Sequence, residues 1–453
     1  MTMPETRPLG LRLLTLLEAV VGIVELIFGI LLLSVGNPLA TSFPLLKGFY
    51  TGLILVALGA LNFYVFYSLR GVEAVGWVTT MALSGIELAA EVGLVAVYGR
   101  SWTPFAVALL LDFVALYYLT RPSMMPLFGG RSVRSMLEKF KVEMQPRMKE
   151  LRFTLKLFRK STLSIIGLSI IVFFILMALL APYLAPPGNI TQGGDPNMIP
   201  YDPILLAANS VRPQPPSWQH PFGTMQGQYD MYYGCIWGSR NALRIGIEVA
   251  GTSLVVGLLV GLIASFYGGW IDEVLMRLTD IIFAFPYLIL CMTLVVVLVP
   301  IGYARLDAIV IAMIIVGWPG YARIIRGEVL RIKNEDYVEA AKSVGCSDAR
   351  VIARHILPNS IYPLLIVVSL DIGTIVLAAA ALSFLGLGAP SGYADWGEII
   401  TLSEDWIYGS PSNPFGFWYT FIIPGLFIST FVMGWNLLGD ALRDVLDPTL
   451  RRK

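Results

Sequence analysis

The sequence is poor in what soluble chemistry needs. Charged residues make up 14% of its 453 positions, only two histidines occur, and the three cysteines (Cys235, Cys291 and Cys346) stand far apart. By the topology drawn below the cysteines lie outside, within the membrane and in the cytoplasm, so no internal disulfide or zinc site is expected. No G-x-x-x-x-G-K-[ST] loop is present, so the usual cradle for nucleotide phosphates is missing, and neither H-E-x-x-H nor a Ser/His/Asp set replaces it. With 32 Lys and Arg against 31 Asp and Glu, the net charge of +1 offers nucleic acid no basic surface. A cleavable signal peptide is not expected, because the first apolar run has full spanning length and no small-residue cleavage pattern.

What is abundant is apolar: 56% of residues are hydrophobic and the mean hydropathy is +0.71. A membrane helix needs about 20 mostly apolar residues. Runs of that kind fall at roughly 12–35, 48–69, 75–98, 103–120, 162–185, 244–267, 277–299, 304–322, 361–385 and 418–439. The expected fold class is therefore all-α, a polytopic membrane protein of about ten transmembrane helices. Three regions follow: a four-span bundle over 1–120, a basic linker over 121–160, and a six-span core over 161–453.

The first four spans carry acids. Glu18 and Glu25 lie seven apart on one helix face, Glu87 and Glu91 lie four apart on another, and Asp112 follows in the fourth run. Bare carboxylates in lipid are costly, so two readings stand: protonated, hydrogen-bonded links between helices, or a proton or cation path. The linker has eleven Lys or Arg against three Glu, around a stripe of Leu137, Phe140, Met144, Met148, Leu151, Leu155 and Phe158. Basic residues around an apolar helical stripe predict a surface helix on anionic lipid.

In the core an exported loop is expected over 186–243, with the sequon Asn189-Ile190-Thr191 and the segment His220-Pro221-Phe222-Gly223-Thr224. Glu248, Asp280 and Asp371 are acids in or near the spans; each either lines a substrate route or bonds a neighbouring helix. Pro286 and Pro319 are expected to kink their helices.

The densest pattern lies in the charged break before the last two spans, within 327–360. Glu339-Ala340-Ala341 is followed after three residues by Gly345, and after nine more by His355-Ile356-Leu357-Pro358-Asn359. Asn334 is expected to cap a helix, Gly345 to stop it, Ser347 to cap a second helix, and Pro358 to mark that helix's end. Ala340 and Ala341 would let another protein approach, with Glu339, Arg350 and Arg354 as polar anchors.

This stretch resembles the E-A-A loop of permease subunits of ABC-type importers, in the dipeptide/oligopeptide subfamily, where H-I-L-P-N is common. Trp318, Tyr321-Ala322-Arg323, Arg326, Leu382 to Gly388, Trp396-Gly397 and the tail Asn436 to Asp444 match as well, so the resemblance covers about 150–453 and leaves 1–120 outside. Two departures occur: Met225 replaces an Asp, and Gln228-Tyr229 replace Gly-Arg.

The resemblance implies a type I ABC importer permease core of six spans. Its coupling residues would be Glu339, Ala340, Ala341, Gly345, Arg350, Leu357 and Pro358. The chain itself would hold no cofactor; ATP and Mg would sit in partner ATPase subunits. Expected partners are a second, related permease, two ATP-binding subunits, an external binding protein and membrane lipid. Relatives carry peptides, and some carry oligosaccharides or nickel. The placement of Lys and Arg, seven of them over 323–354 and none over 386–417, puts both termini in the cytoplasm of a multi-pass plasma-membrane protein. Against the importer reading stand a secondary transporter or channel using the N-terminal acids, and a membrane scaffold.

Overall fold

In the computed structural model, the described residues are 77–84, 161–187, 196–200, 212–409 and 413–446, with single positions or pairs at 117, 119, 138, 141–142, 144–145 and 148–149. Glu18, Glu25, Glu87, Glu91, Asp112, Asn189 and most of the basic linker lie outside them. The chain divides into two units, Met1–Lys156 and Leu157–Lys453. Within the first, 77–84 are helical, and the Trp77 indole donates to the Leu119 carbonyl at 3.0 Å.

Among the described residues the second unit is helical throughout, with two isolated β-bridges in its loops. Helix α1 is Thr162–Leu184, capped by the Ser161 hydroxyl. Helix α2 is Met231–Tyr267, α3 is Gly269–Phe283 and α4 is Tyr287–Ile301. Helix α5 is Arg305–Ile332, and two short helices follow, α6 (Asp336–Ser343) and α7 (Asp348–Val351). After a π turn over Ile352–Ile356 come α8 (Leu357–Ser360) and α9 (Tyr362–Leu382). Helices α10 (Trp396–Thr401) and α11 (Tyr419–Leu446) complete the unit.

Five of these helices (α1, α2, α5, α9 and α11) are long and apolar enough to cross a membrane. The pair α3 and α4, bent by 89° across a short break, gives a sixth when the two are counted as one broken span. Five of the six core runs expected from hydropathy thus have a spanning helix and the other has this bent pair, with three corrections. Helix α2 begins at Met231 rather than 244, so the loop expected over 186–243 ends at Asp230. Helix α5 runs to Ile332, well beyond 322. The run 277–299 is not one helix, because Pro286 supplies no N–H and its extended backbone (ψ 131°) starts α4 afresh. Pro319, by contrast, lies within the continuous α5.

Two contacts organise the core. Along α2, Gly257 and Gly261 press on the backbone of Trp318 and Ala322 in α5, where any Cβ would collide. On the other side Phe174 meets Trp396, Phe427 and Phe431 edge-on, with ring centroids 5.2 to 6.3 Å apart, joining α1, α10 and α11.

Candidate functional site

The break between α5 and α9 is built by local rules. Helix α6 has Glu335 at its cap position with no side-chain bond; Asn334 instead donates to the Leu330 carbonyl at 3.1 Å, so it is not the cap. Asp336 and Glu339 in the first turn and Lys342 in the last complement the helix dipole. The helix stops in a Schellman turn: Cys346 N–H donates to Ala341 O at 3.1 Å, Gly345 N–H donates to Lys342 O at 2.9 Å, and Gly345 takes φ +82°. The Ser347 carbonyl then accepts from Arg350 and Val351 and starts α7.

Pro358 does not end this second helix. It sits in the first turn of α8, just after the π turn in which Leu357 N–H donates to Ile352 O. A proline has no N–H and crowds the carbonyl four residues back, and the wider turn accommodates both.

The loop has an apolar underside. Val338, Val351 and Ile356 are fully buried against Leu262 of α2, Tyr321, Ile325, Val329 and Ile332 of α5, and Leu364 of α9. Val338 and Ala341 are three apart on α6 and share this inward face, so Ala341 is buried and only Ala340 of the alanine pair is exposed. The outer face presents Glu339, Ala340, Lys342, Arg350, Arg354 and Val344, the last an apolar side chain 80% exposed. Leu357 and Pro358 are half-buried at the loop's exit. The arrangement is a short polar-topped helix held on the core by its other side.

The three core acids do not meet. Glu248 of α2 is buried, with Arg244 Nε one turn away at 3.4 Å; Arg244 also bonds Asp307 of α5 at 2.6 Å. Asp280 of α3 pairs with Arg323 of α5 at 2.5 Å. Asp371 of α9 faces Tyr321 of α5. No cluster of three or more His, Cys, Asp or Glu forms among the described residues. Sequence reasoning named Arg323 only as part of a matching flank and passed over Arg244, for which the four-residue spacing from Glu248 was the signal.

On the opposite side the loops before α2 and α11 are knitted together. Asp230 caps α2 through Tyr232 and Tyr233 N–H and binds His220 Nδ1 at 3.0 Å, giving that histidine a carboxylate partner. Gln228, at a position where the sequence departs from the family pattern, bonds the Thr224 hydroxyl and the Arg212 carbonyl. Trp396 Nε1 donates to Cys235 O at 2.9 Å, and Asn241 Nδ2 donates to Ala394 O. Asp395 caps α10. Burial, then the charge of Asp395, pushes the Glu398 carboxyl up to about 7.

Residues 254–452 match the family model described as binding-protein-dependent transport system inner membrane component, and 152–216 match the N-terminal TM domain of oligopeptide transport permease C. The chain is 37% identical over 300 residues to the dipeptide transport system permease protein DppC of Alkalihalophilus pseudofirmus, covering 66% of this chain and 90% of that one. It is 39% identical over 295 residues to the oligopeptide transport system permease protein OppC of Bacillus subtilis, covering 65% and 88%. Among solved structures, a chain of the MetNI methionine ABC transporter is similar, at 17% identity and a TM-score of 0.40, over 48% of this chain and 98% of that one.

Proposed function

Because this chain belongs to the family of binding-protein-dependent transport system inner membrane components, we propose that its cargo is peptides and that the loop Glu339–Pro358 is the socket piece held by its ATPase partners. The chain is a multi-pass inner-membrane permease, the pore-forming subunit of an importer, and not a catalytic enzyme. ATPase and substrate-binding partners follow from that membership.

The finer reading is ours. Two ATPase subunits bind and split ATP with its Mg, since this chain has no phosphate loop; one grips α6, and the other grips the equivalent helix of a second, related permease. Closure on ATP moves α6, and the spans rock to open the pore outward toward a loaded binding protein. Both termini are read as cytoplasmic, which the placement of Lys and Arg supports. Peptide cargo is favoured by two relatives named as dipeptide and oligopeptide permeases.

The single observation that carries this reading is the two-faced loop. Its apolar underside is fixed to α2, α5 and α9, while Glu339, Ala340 and Val344 are exposed on its outer side, where another protein can meet them. The test is uptake by proteoliposomes holding this chain, its sister permease, both ATPases and the binding protein. ATP-driven accumulation of labelled di- to pentapeptides, absent without ATPases, is the expected result. Accumulation of an oligosaccharide or nickel but no peptide would overturn the cargo, and uptake by the two permeases alone would overturn the mechanism.

A further inference from the structure

Helix α3 is held in an unusual way. Of its fifteen residues only Thr279 is buried, so apolar packing does little to place it. Two arginines of α5 grip it instead. Arg326 makes a bidentate pair with Asp272 near the start of α3, with Nε and Nη2 each 2.6 Å from a carboxylate oxygen. Arg323, one turn earlier on α5, pairs with Asp280 at 2.5 Å and lies over the Phe283 ring, 4.2 Å from its centre. Phe283 is the last residue of α3, and the chain breaks immediately after it, at Ala284-Phe285-Pro286, to bend by 89° into α4.

The same stretch of α5 leads straight into the loop. Lys333 at its end donates to the Ser265 carbonyl of α2 at 2.8 Å, and α6 starts three residues later. The other charges here, Glu328, Arg331 and Glu335, pair along α5 and its exit rather than with α3. Arg323 and Arg326 are thus the polar links between the element that carries the loop and the element that carries the bend.

We propose that Arg323 and Arg326 are positioning residues for transport: they act as two struts that pass a displacement of α6, through α5, into α3, and so set the angle of the broken span. The inference rests on the coupling reading given above and names the parts through which that coupling runs.

The chemistry suits transmission better than stability. Arg323 and Asp280 are each about half exposed (47% and 50%), and ion pairs that open to solvent add little to stability. A bidentate guanidinium–carboxylate pair, however, fixes orientation as well as distance, which a lysine does not. Gripped near both ends, α3 follows α5 as a rigid body, and the motion is taken up at its two junctions, Gly268-Gly269 before it and the proline break after it. Helix α4 itself is seated on the core, with Cys291 and Val295 buried and Leu290, Leu294 and Leu298 packed beside them, so a shift of α3 changes the angle at the break.

The experiment uses the assembled complex in proteoliposomes and reads uptake per ATP hydrolysed. In Arg326→Lys, which keeps the charge and loses the fork, and in Asp272→Asn, that ratio should fall about tenfold, within the usual range for coupling between sites. The exchange Arg326→Asp with Asp272→Arg should recover most of it. A maleimide reporter at Ala284→Cys should label at a rate that changes with ATP when Arg326 is present and is constant in Arg326→Lys. Wild-type ratios in the single variants would overturn the proposal. So would complexes that form in low yield but couple normally, because the pairs would then serve assembly alone. A wild-type complex that no loaded binding protein stimulates would overturn the importer reading itself, and the struts with it.

Discussion

Gly345 turns the backbone through φ +82° with open space beside it, so a side chain there fails on conformation and not on room. An L residue in this region costs about 1–2 kcal/mol, and a β-branched one more. Gly345→Val should therefore unwind the Schellman turn and leave α6 misaimed, while Gly345→Asn, tolerant of the left-handed region, should stay near wild type. Glu339→Lys should also uncouple, by reversing a charge on the exposed face and in the first turn of α6. The measurement is stimulation of ATP hydrolysis by loaded binding protein, with membrane insertion checked separately. Normal stimulation in both Gly345→Val and Glu339→Lys would remove the loop from its role. Gly345 was legible in the sequence because a helix stop of this kind admits few residues. The inward turn of Ala341 was not, because the buried face of a two-turn helix is chosen by what lies beneath it, here Val329 and Ile332 of α5.

Elements were legible where hydropathy alone decides them and obscure where a loop packs on them. The first three turns of α2 contain Ser239, Arg240 and Asn241, which read as solvent-facing. They are helical because the outer loops cover them: Trp237 Nε1 donates to Ala185 O, and Gly238 leaves room for the Trp396 ring. Helix α10 belongs to that cover, and its Glu398 is only 5% exposed. Burial and the nearby Asp395 raise this carboxyl from its ordinary 4.5 to about 7, while Ser391 and Arg305 oppose the rise. Between those values the folded chain binds more protons than the unfolded one, so stability falls as pH rises from about 4.5 to about 7 and is level above. Asp395, also raised by burial, adds in the same direction. Thermal unfolding of the purified protein should follow this slope, and Glu398→Gln should flatten it. An equal slope in the variant would show that Glu398 is not the group responsible. Trp396→Ala should lower stability at every pH by about 3–5 kcal/mol, as expected when a large core aromatic is removed.

At the scale of the whole molecule, the open question is why an importer core carries four more predicted spans. The family matches begin at residue 152, and the core after it has five spanning helices and a bent pair that gives the sixth span when counted as one. An even number of added spans leaves the core's orientation unchanged, so the addition need not alter transport. The acids argue the other way, because carboxylates in lipid are costly and usually have a task. Their spacing reconciles the two. Glu18 with Glu25, and Glu87 with Glu91, have the sequence spacing that a helix would bring to one face, as required if protonated carboxyls bridge the first and third predicted spans. Such bonds are worth about 0.6 to 2 kcal/mol each, enough to matter in a small bundle. On that basis we propose that residues 1–120 are an accessory module for assembly and not part of the substrate path. Deletion of 1–120, keeping the basic stretch 121–160 that precedes α1, should lower the yield of complex and leave turnover per assembled complex unchanged. Glu25→Gln with Glu87→Gln should do the same more mildly, since an amide still donates and accepts the hydrogen bonds of a protonated carboxyl. Loss of turnover in fully assembled complexes of either variant would instead make the N-terminal acids part of the transport mechanism, and the proton or cation path would then be the better reading.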